Sequence, residues 1–234
     1  MIASPVSLRK AGLAALALWA AGAAALPPER VTLHYQMLRN GSAIGDLVET
    51  LEHDGRSYTI TSELKGRGAL AVLGSLKRTA RGRITADGLR PDEFSDRRLG
   101  GAWVASAKFD WEARTVTQGR KGKAETAKMP GTVMDPLSLA YNFAFVPPKG
   151  KEYDVVRADG RGLSQFRFKV MGNEKLATPA GELQTLRIAR VPDGPGDRAT
   201  DIWFAAERGY LPVRALVVDK DGTSADQVLT RIGD

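Results

Sequence analysis

The groups best suited to acid–base chemistry are two pairs of neighbouring carboxylates, Asp92-Glu93 and Asp110 with Glu112. A glycoside hydrolase needs two acids on either side of the bond that it cleaves. Adjacent residues of a strand point to opposite faces, and Asp92-Glu93 follows Pro91 in a predicted turn, so we interpret this pair as structural. Asp110 and Glu112 lie at the end of a predicted strand, which keeps a hydrolase as the third functional hypothesis.

The sequence offers few other groups for catalysis. It contains no cysteine and two histidines, His34 and His53, which the alternation pattern places among polar residues. A zinc or iron centre needs three or four convergent ligands, and no spacing such as H-E-x-x-H is present. No G-x-S-x-G elbow supplies a nucleophilic serine. We therefore predict no catalytic residues, no metal and no cofactor, and favour a protein that is not an enzyme.

Large aromatic side chains form the remaining candidate site. They could line a concavity for a hydrophobic ligand, and the alternative is that they fill the core. The candidate ligand-binding residues are Trp103, Phe109, Trp111, Tyr141, Phe145 and Trp203.

The elements that must position these residues are mostly strands. Apolar and polar residues alternate with a period of two from Val31 to Leu64, a pattern typical of half-buried strands. Asn40-Gly41 and Asp54-Gly55 supply the positive φ values that tight hairpin turns require. Similar strand-sized segments follow to Ile232, separated by turn sequences. The pattern predicts about a dozen short antiparallel strands.

One segment, Pro136 to Phe145, is predicted to be helical. Asp135 can accept the free N–H groups of the first turn, and Pro136 has the φ that suits the first helical position. Pro147-Pro148 ends the segment. The glycine-punctuated stretch from Gly66 to Leu76 is ambiguous between a short helix and a buried strand or lid.

These elements predict an all-β fold with one short helix. An open sheet of a dozen strands would curl, so we expect an antiparallel, strongly curved sheet or barrel with the helix packed on or in it. Residues 26–234 are long enough for one domain with a sizeable core.

The first 25 residues resemble an export signal. Arg9-Lys10 precede a short apolar run, and small residues at Ala21, Ala23 and Ala25 provide Ala-x-Ala cleavage sites, so we predict residues 1–25 as a signal peptide cleaved near Ala23 or Ala25. No later segment approaches the roughly 20 apolar residues of a membrane span. We therefore expect a periplasmic protein.

The distribution of charge argues against nucleic acid as a partner. The 34 basic residues exceed the 27 acidic ones, and removing Arg9 and Lys10 leaves 32 against 27, a net charge of +5. These bases are scattered and rarely interleave with aromatic residues that would stack on nucleotides. Solubility, or loose attraction to anionic envelope polymers and head groups, explains the excess.

Several segments in order resemble an exported bacterial family catalogued as domain of unknown function 3108. The segments are Thr79-Ala80-Arg81-Gly82-Arg83-Ile84, Gly88-Leu89-Arg90-Pro91, Phe109-Asp110-Trp111, Met134-Asp135-Pro136-Leu137-Ser138-Leu139, Thr178-Pro179-Ala180-Gly181, Ile202-Trp203-Phe204 and Tyr210-Leu211-Pro212-Val213. The resemblance covers most of the chain after the signal. It implies export and a β-rich domain, and it supplies no catalytic residues.

The sequence favours a non-enzymatic binding or carrier module for an apolar or amphiphilic molecule of the cell envelope, such as a lipid. This hypothesis depends on a curved sheet with a helix over it and on the missing catalytic groups. A structural or interaction protein that pairs with an envelope protein is the alternative.

Overall fold

The computed structural model describes residues 26–98, 104–194 and 196–233. The predicted signal segment, residues 1–25, lies outside these ranges. So does Trp103, one of the candidate ligand-binding residues.

The described residues form one sheet of fifteen strands, somewhat more than the dozen that the pattern predicts. The strands are β1 (Arg30–Arg39), β2 (Ser42–His53), β3 (Ser57–Gly66), β4 (Ser75–Thr85), β5 (Gly88–Arg98), β6 (Val104–Asp110), β7 (Thr115–Arg120), β8 (Lys123–Lys128), β9 (Val133–Met134), β10 (Glu152–Ala158), β11 (Leu163–Thr178), β12 (Gly181–Arg190), β13 (Ala199–Ala205), β14 (Leu211–Val218) and β15 (Ser224–Gly233). The prediction of an all-β fold is confirmed.

The chain enters this sheet in the middle and leaves it there. β1 pairs with β2 on one side and with β15 on the other. Successive antiparallel hairpins run outward from β1 to β8, and a second set runs inward from β10 to β15. The short β9 joins β10 as the one parallel pair in the described sheet. The two edges, β8 and β9, are therefore consecutive in the sequence.

The curved sheet is open, because β8 and β9 are its edges rather than a hydrogen-bonded pair. A turn bridges the two halves near this gap. The side-chain amide oxygen of Gln118 on β7 accepts from the backbone N–H of Gly160, at 3.0 Å, in the turn between β10 and β11. The two separate edges identify the open, strongly curved sheet among the two predicted forms.

The predicted helix is present but shorter than expected. Helix α1 spans Pro136–Tyr141, and the chain tightens into a 3₁₀ turn over Asn142–Ala144. The ambiguous glycine-punctuated stretch contains a second 3₁₀ turn, Gly68–Leu73, between β3 and β4. A third, Ala206–Arg208, joins β13 to β14. No helix in the described ranges is long and apolar enough to cross a bilayer.

Two apolar clusters stabilise the fold. The main core combines inward residues of β1 to β7 with one side of α1 and with parts of β11 to β15; Leu33, Ile60 and Tyr141 are fully buried in it. A smaller cluster has Phe168, Ile188 and Phe204 at its centre. Trp203 belongs to the first cluster and Phe204 to the second, since neighbouring residues of a strand face opposite sides. This end of the sheet is therefore apolar on both faces.

Candidate functional site

Asp135 begins helix α1 with a buried carboxylate. Its Oδ1 accepts the N–H groups of Leu137 at 2.9 Å and Ser138 at 3.1 Å, which confirms the predicted cap. The hydroxyl of Ser138 donates to Oδ2, and the hydroxyl of Tyr58 lies 2.6 Å from Ser138 Oγ. Burial raises the pKa of Asp135 to about 6, and these hydrogen bonds offset part of the shift.

Glu49 is a second buried acid, on β2. Its two oxygens accept from the hydroxyls of Ser62 and Tyr141, each at 2.9 Å. Burial raises its pKa, while the two hydroxyl donors and the positive charge of Arg78 act in the opposite direction. Asp135 is fully buried and Glu49 is 6% exposed, so neither is placed to meet a substrate from solvent. Their hydrogen bonds instead fix α1 against β2 and β3.

Four of the aromatic residues singled out from the sequence are packed in the main core. Phe109, Tyr141, Phe145 and Trp203 are each less than a tenth exposed. The indole N–H of Trp203 donates to Glu174 at 2.5 Å, and guanidinium groups of two arginines lie over its ring. The structure does not gather these four around one cavity.

Trp111 is the member of that set that reaches a cavity. Its ring stacks on Phe109 at 6.1 Å with an interplanar angle of 11°, and its N–H donates to the carbonyl of Pro91 at 2.7 Å. The guanidinium of Arg90 lies 4.6 Å from the ring centroid. Trp111 and Arg90 line a polar cavity of about 440 Å³ together with Arg114. We call this the arginine cavity.

An apolar cleft of about 220 Å³ adjoins it, between the 3₁₀ turn after α1 and the second apolar cluster. Phe143 reaches from the turn and contacts the rings of Tyr153 and Phe204 at 5.1 and 5.0 Å. The other apolar lining residues are Met134, Leu139, Val155, Phe168, Ile188 and Ile202. The arginine cavity and the apolar cleft share Asp87, Thr132 and Met134 as lining residues.

Sequence reasoning missed this cleft because its lining comes from α1, the following turn and five strands, β9 to β13. The sequence nevertheless contains a pattern that indicates an apolar surface on the second face of the sheet. Ile202-Trp203-Phe204 places apolar side chains on both faces of β13, and Val155-Val156 does the same on β10. A strand apolar on both faces must be covered on both, and here α1 and its turn cover the second face incompletely.

The carboxylates and the histidine that were considered for catalysis or metal binding line neither the arginine cavity nor the apolar cleft. Asp110 is exposed and accepts the N–H of Ala113 at 2.8 Å, which stabilises a turn, while Glu112 is exposed in the same turn. His53 lies against Phe145 with a ring nitrogen 2.9 Å from the carbonyl of Pro27. Within the described ranges no three His, Cys, Asp or Glu residues are grouped as metal ligands would be.

A family model described as "Protein of unknown function (DUF3108)" matches residues 30–230. The chain belongs to this family. The match reaches all fifteen strands of the described sheet and stops three residues before the end of β15, and it confirms the resemblance identified from the sequence segments. A comparison with curated proteins finds no match.

A comparison with solved structures finds similar chains at low sequence identity. A β-barrel-like protein of domain of unknown function DUF1849 from Brucella abortus is 13% identical, with a TM-score of 0.57 over 88% of this chain and 98% of its own. An exported protein with a YmcC-like fold from Bacteroides fragilis is 11% identical, with a TM-score of 0.39 over 89% and 98%. A protein from Parabacteroides distasonis described as a lipoprotein is 11% identical, with a TM-score of 0.38 over 89% and 97%. The first likeness supports the β-barrel-like fold.

Proposed function

We propose that this DUF3108 protein is a non-enzymatic binding or carrier module of the periplasm, and that it holds the apolar part of an envelope molecule in the apolar cleft. The observation that carries the proposal is the cleft itself, an opening between Phe143 and the second cluster with a lining of mostly apolar side chains. Apolar concavities of this kind bind ligands by removing apolar surface from water.

The size of the cleft limits what it holds. Small-molecule sites usually measure about 300–1,000 Å³. The apolar cleft, at about 220 Å³, is below that range, and it enters the range only together with the adjoining arginine cavity. An occupant of ordinary size therefore extends from one into the other.

Binding of a neutral apolar probe tests the proposal. N-phenyl-1-naphthylamine becomes fluorescent in apolar surroundings, and we expect saturable binding to the purified protein. Val155→Phe places a larger side chain in the cleft and should weaken probe binding about tenfold or more. Val72→Phe makes the same change at a position that is 86% exposed and should leave binding unchanged.

Circular dichroism must show that both variants are folded. Leu139→Phe narrows the cleft from the helix side and replaces Val155→Phe if that variant does not fold. Probe binding that is absent, or that is equal in the cleft variants and in Val72→Phe, would contradict the proposal.

A further inference from the structure

The arginine cavity contains positive charge that the described protein does not neutralise. Arg90 and Arg114 line it, and neither forms an ion pair within the described ranges. Asp87 is the one acidic residue in its lining, so the lining has a net positive charge. Most other arginines near the core are paired, as Arg214 is with Asp226 at 2.8 Å.

Arg90 also has an unused donor. Its Nε atom is buried and makes no hydrogen bond, while its guanidinium plane is held over Trp111. A buried donor without a partner destabilises the protein, and an acceptor that enters the cavity recovers part of that cost. The fork of an arginine matches the paired oxygens of a carboxylate or a phosphate.

The backbone fixes both arginines at the cavity. Trp111 is anchored to the carbonyl of Pro91, so the surface on which Arg90 lies is rigid. Arg114 has a φ of +54° in the turn after β6, and its carbonyl accepts the N–H of Met129 at 2.9 Å. Met129 itself lines the cavity. Two cations are thus positioned beside the mouth of an apolar cleft.

We propose that the arginine cavity binds the anionic head group of an amphiphile whose alkyl chain occupies the apolar cleft. This inference rests on the proposed function and specifies its ligand class. The shared chemistry is an anionic oxygen head, which either a fatty carboxylate or an alkyl phosphate provides. A neutral or cationic head would leave Arg90 and Arg114 without a counter-charge.

Four ligands with a straight chain of twelve carbons and different head groups separate the contribution of the head from that of the tail: dodecanoate, dodecyl phosphate, dodecanol and dodecyltrimethylammonium. Each is titrated below its micelle concentration, or below its solubility limit for dodecanol, by displacement of N-phenyl-1-naphthylamine from the purified exported protein. We expect both anions to bind about tenfold more tightly than dodecanol, and the cation more weakly. The tighter anion identifies carboxylate or phosphate as the preferred head. Added salt should weaken binding of the anions and leave dodecanol unchanged.

Three arginine variants test whether the arginine cavity causes the preference for anionic ligands. Arg90→Gln should remove most of the preference for the anions and keep dodecanol within twofold of its original affinity. Arg114→Gln should reduce the preference less, because Arg114 is exposed. Arg81→Gln is the matched control, since Arg81 is an exposed arginine that lines neither cavity.

The two proposals fail in different ways. Binding of dodecanol as tight as that of the anions, or an anion preference that survives Arg90→Gln, overturns the head-group assignment while the apolar cleft stands as a binding site. Failure of all four ligands and of the neutral probe to bind overturns the proposed function itself.

Discussion

Asp135 joins the start of helix α1 to strand β3 through a carboxylate that water does not reach. When the carboxylate is ionised, Ser138 donates to it and Tyr58 donates to Ser138. Burial favours the neutral acid, which raises the pKa of Asp135 from 3.8 to about 6. The folded protein therefore binds this proton more tightly than the unfolded chain does.

This difference predicts a loss of stability as the pH rises. Below about pH 4 the acid is protonated in both states, and above about pH 6 the folded state carries the full cost of a buried charge, about 3 kcal/mol. Asp135→Asn imitates the protonated acid and should remove this part of the pH dependence. Urea unfolding between about pH 4 and pH 7 measures it.

Ionisation of Glu49 should also lower the stability of the folded protein as the pH rises, because burial raises the pKa of Glu49. The difference between the wild-type curve and the Asp135→Asn curve isolates Asp135, and Glu49→Gln provides the corresponding control. Parallel curves for wild type and Asp135→Asn would show that Asp135 titrates as an ordinary carboxyl group.

At this scale the sequence predicted the role of Asp135 but not its surroundings. An Asp before a Pro marks a helix start through local geometry alone. Its hydrogen-bond network includes Tyr58, which is 77 positions earlier and is linked to it through the hydroxyl of Ser138. Trp111 and Arg90 likewise meet because β5 pairs with β6, a contact that no local pattern encodes.

Among the elements, the β10–β11 turn packs tightly against the other half of the sheet, away from the β1–β15 pairing. Gly160 has a φ of +84°, and a Cβ atom there would lie 2.7 Å from the backbone nitrogen of Ser106 and 2.8 Å from Ala105 Cβ. Gln118 accepts from its N–H. The turn thus packs against β6 and β7 without room for a side chain.

Gly160→Ala and Gly122→Ala separate this packing from backbone strain. Gly122 has a similar φ, +79°, with nothing near its absent Cβ, so alanine there should cost about 1–2 kcal/mol. Alanine at Gly160 should cost a further 1–3 kcal/mol, approximately, because the halves must move apart. Urea unfolding of the two variants gives the difference, and equal losses would mean that this turn does not hold the halves together.

The strands themselves were largely predictable. Alternation identifies residues that lie on one face of β1 or β3, and turn dipeptides such as Asn40-Gly41 mark where hairpins reverse. The same alternation does not reveal that β11 shifts register between Val170 and Gly172, which lets one strand supply both apolar clusters. A bulge of this kind depends on the partner strand as well as on local sequence.

At the scale of the whole molecule, one continuous sheet should unfold as a unit. The pairing of β1 with β15 joins the two sets of hairpins, and the main core contains residues of both. The first set therefore has no core of its own, and the second has only the smaller cluster around Phe168, Ile188 and Phe204.

We expect the exported protein to begin at Ala24 or Leu26 and to show a single unfolding transition. Intact-mass measurement of the periplasmic protein checks the first point. Coincident urea curves from tryptophan fluorescence and far-ultraviolet circular dichroism check the second. A mass that retains Met1, or two separated transitions, would contradict the expectation of a cleaved signal followed by one domain.

The meeting of β1 and β15 at the centre of the sheet also sets an order of assembly. A chain that emerges amino end first, whether from a ribosome or from a translocon, can form the hairpins from β1 to β8 early, but one side of β1 stays unpaired until β15 arrives. During that interval β1 exposes a free row of backbone donors and acceptors, which other chains can pair with. Synthesis that stops before Ser224 would leave that row open permanently, so truncated products should be prone to aggregation and proteolysis.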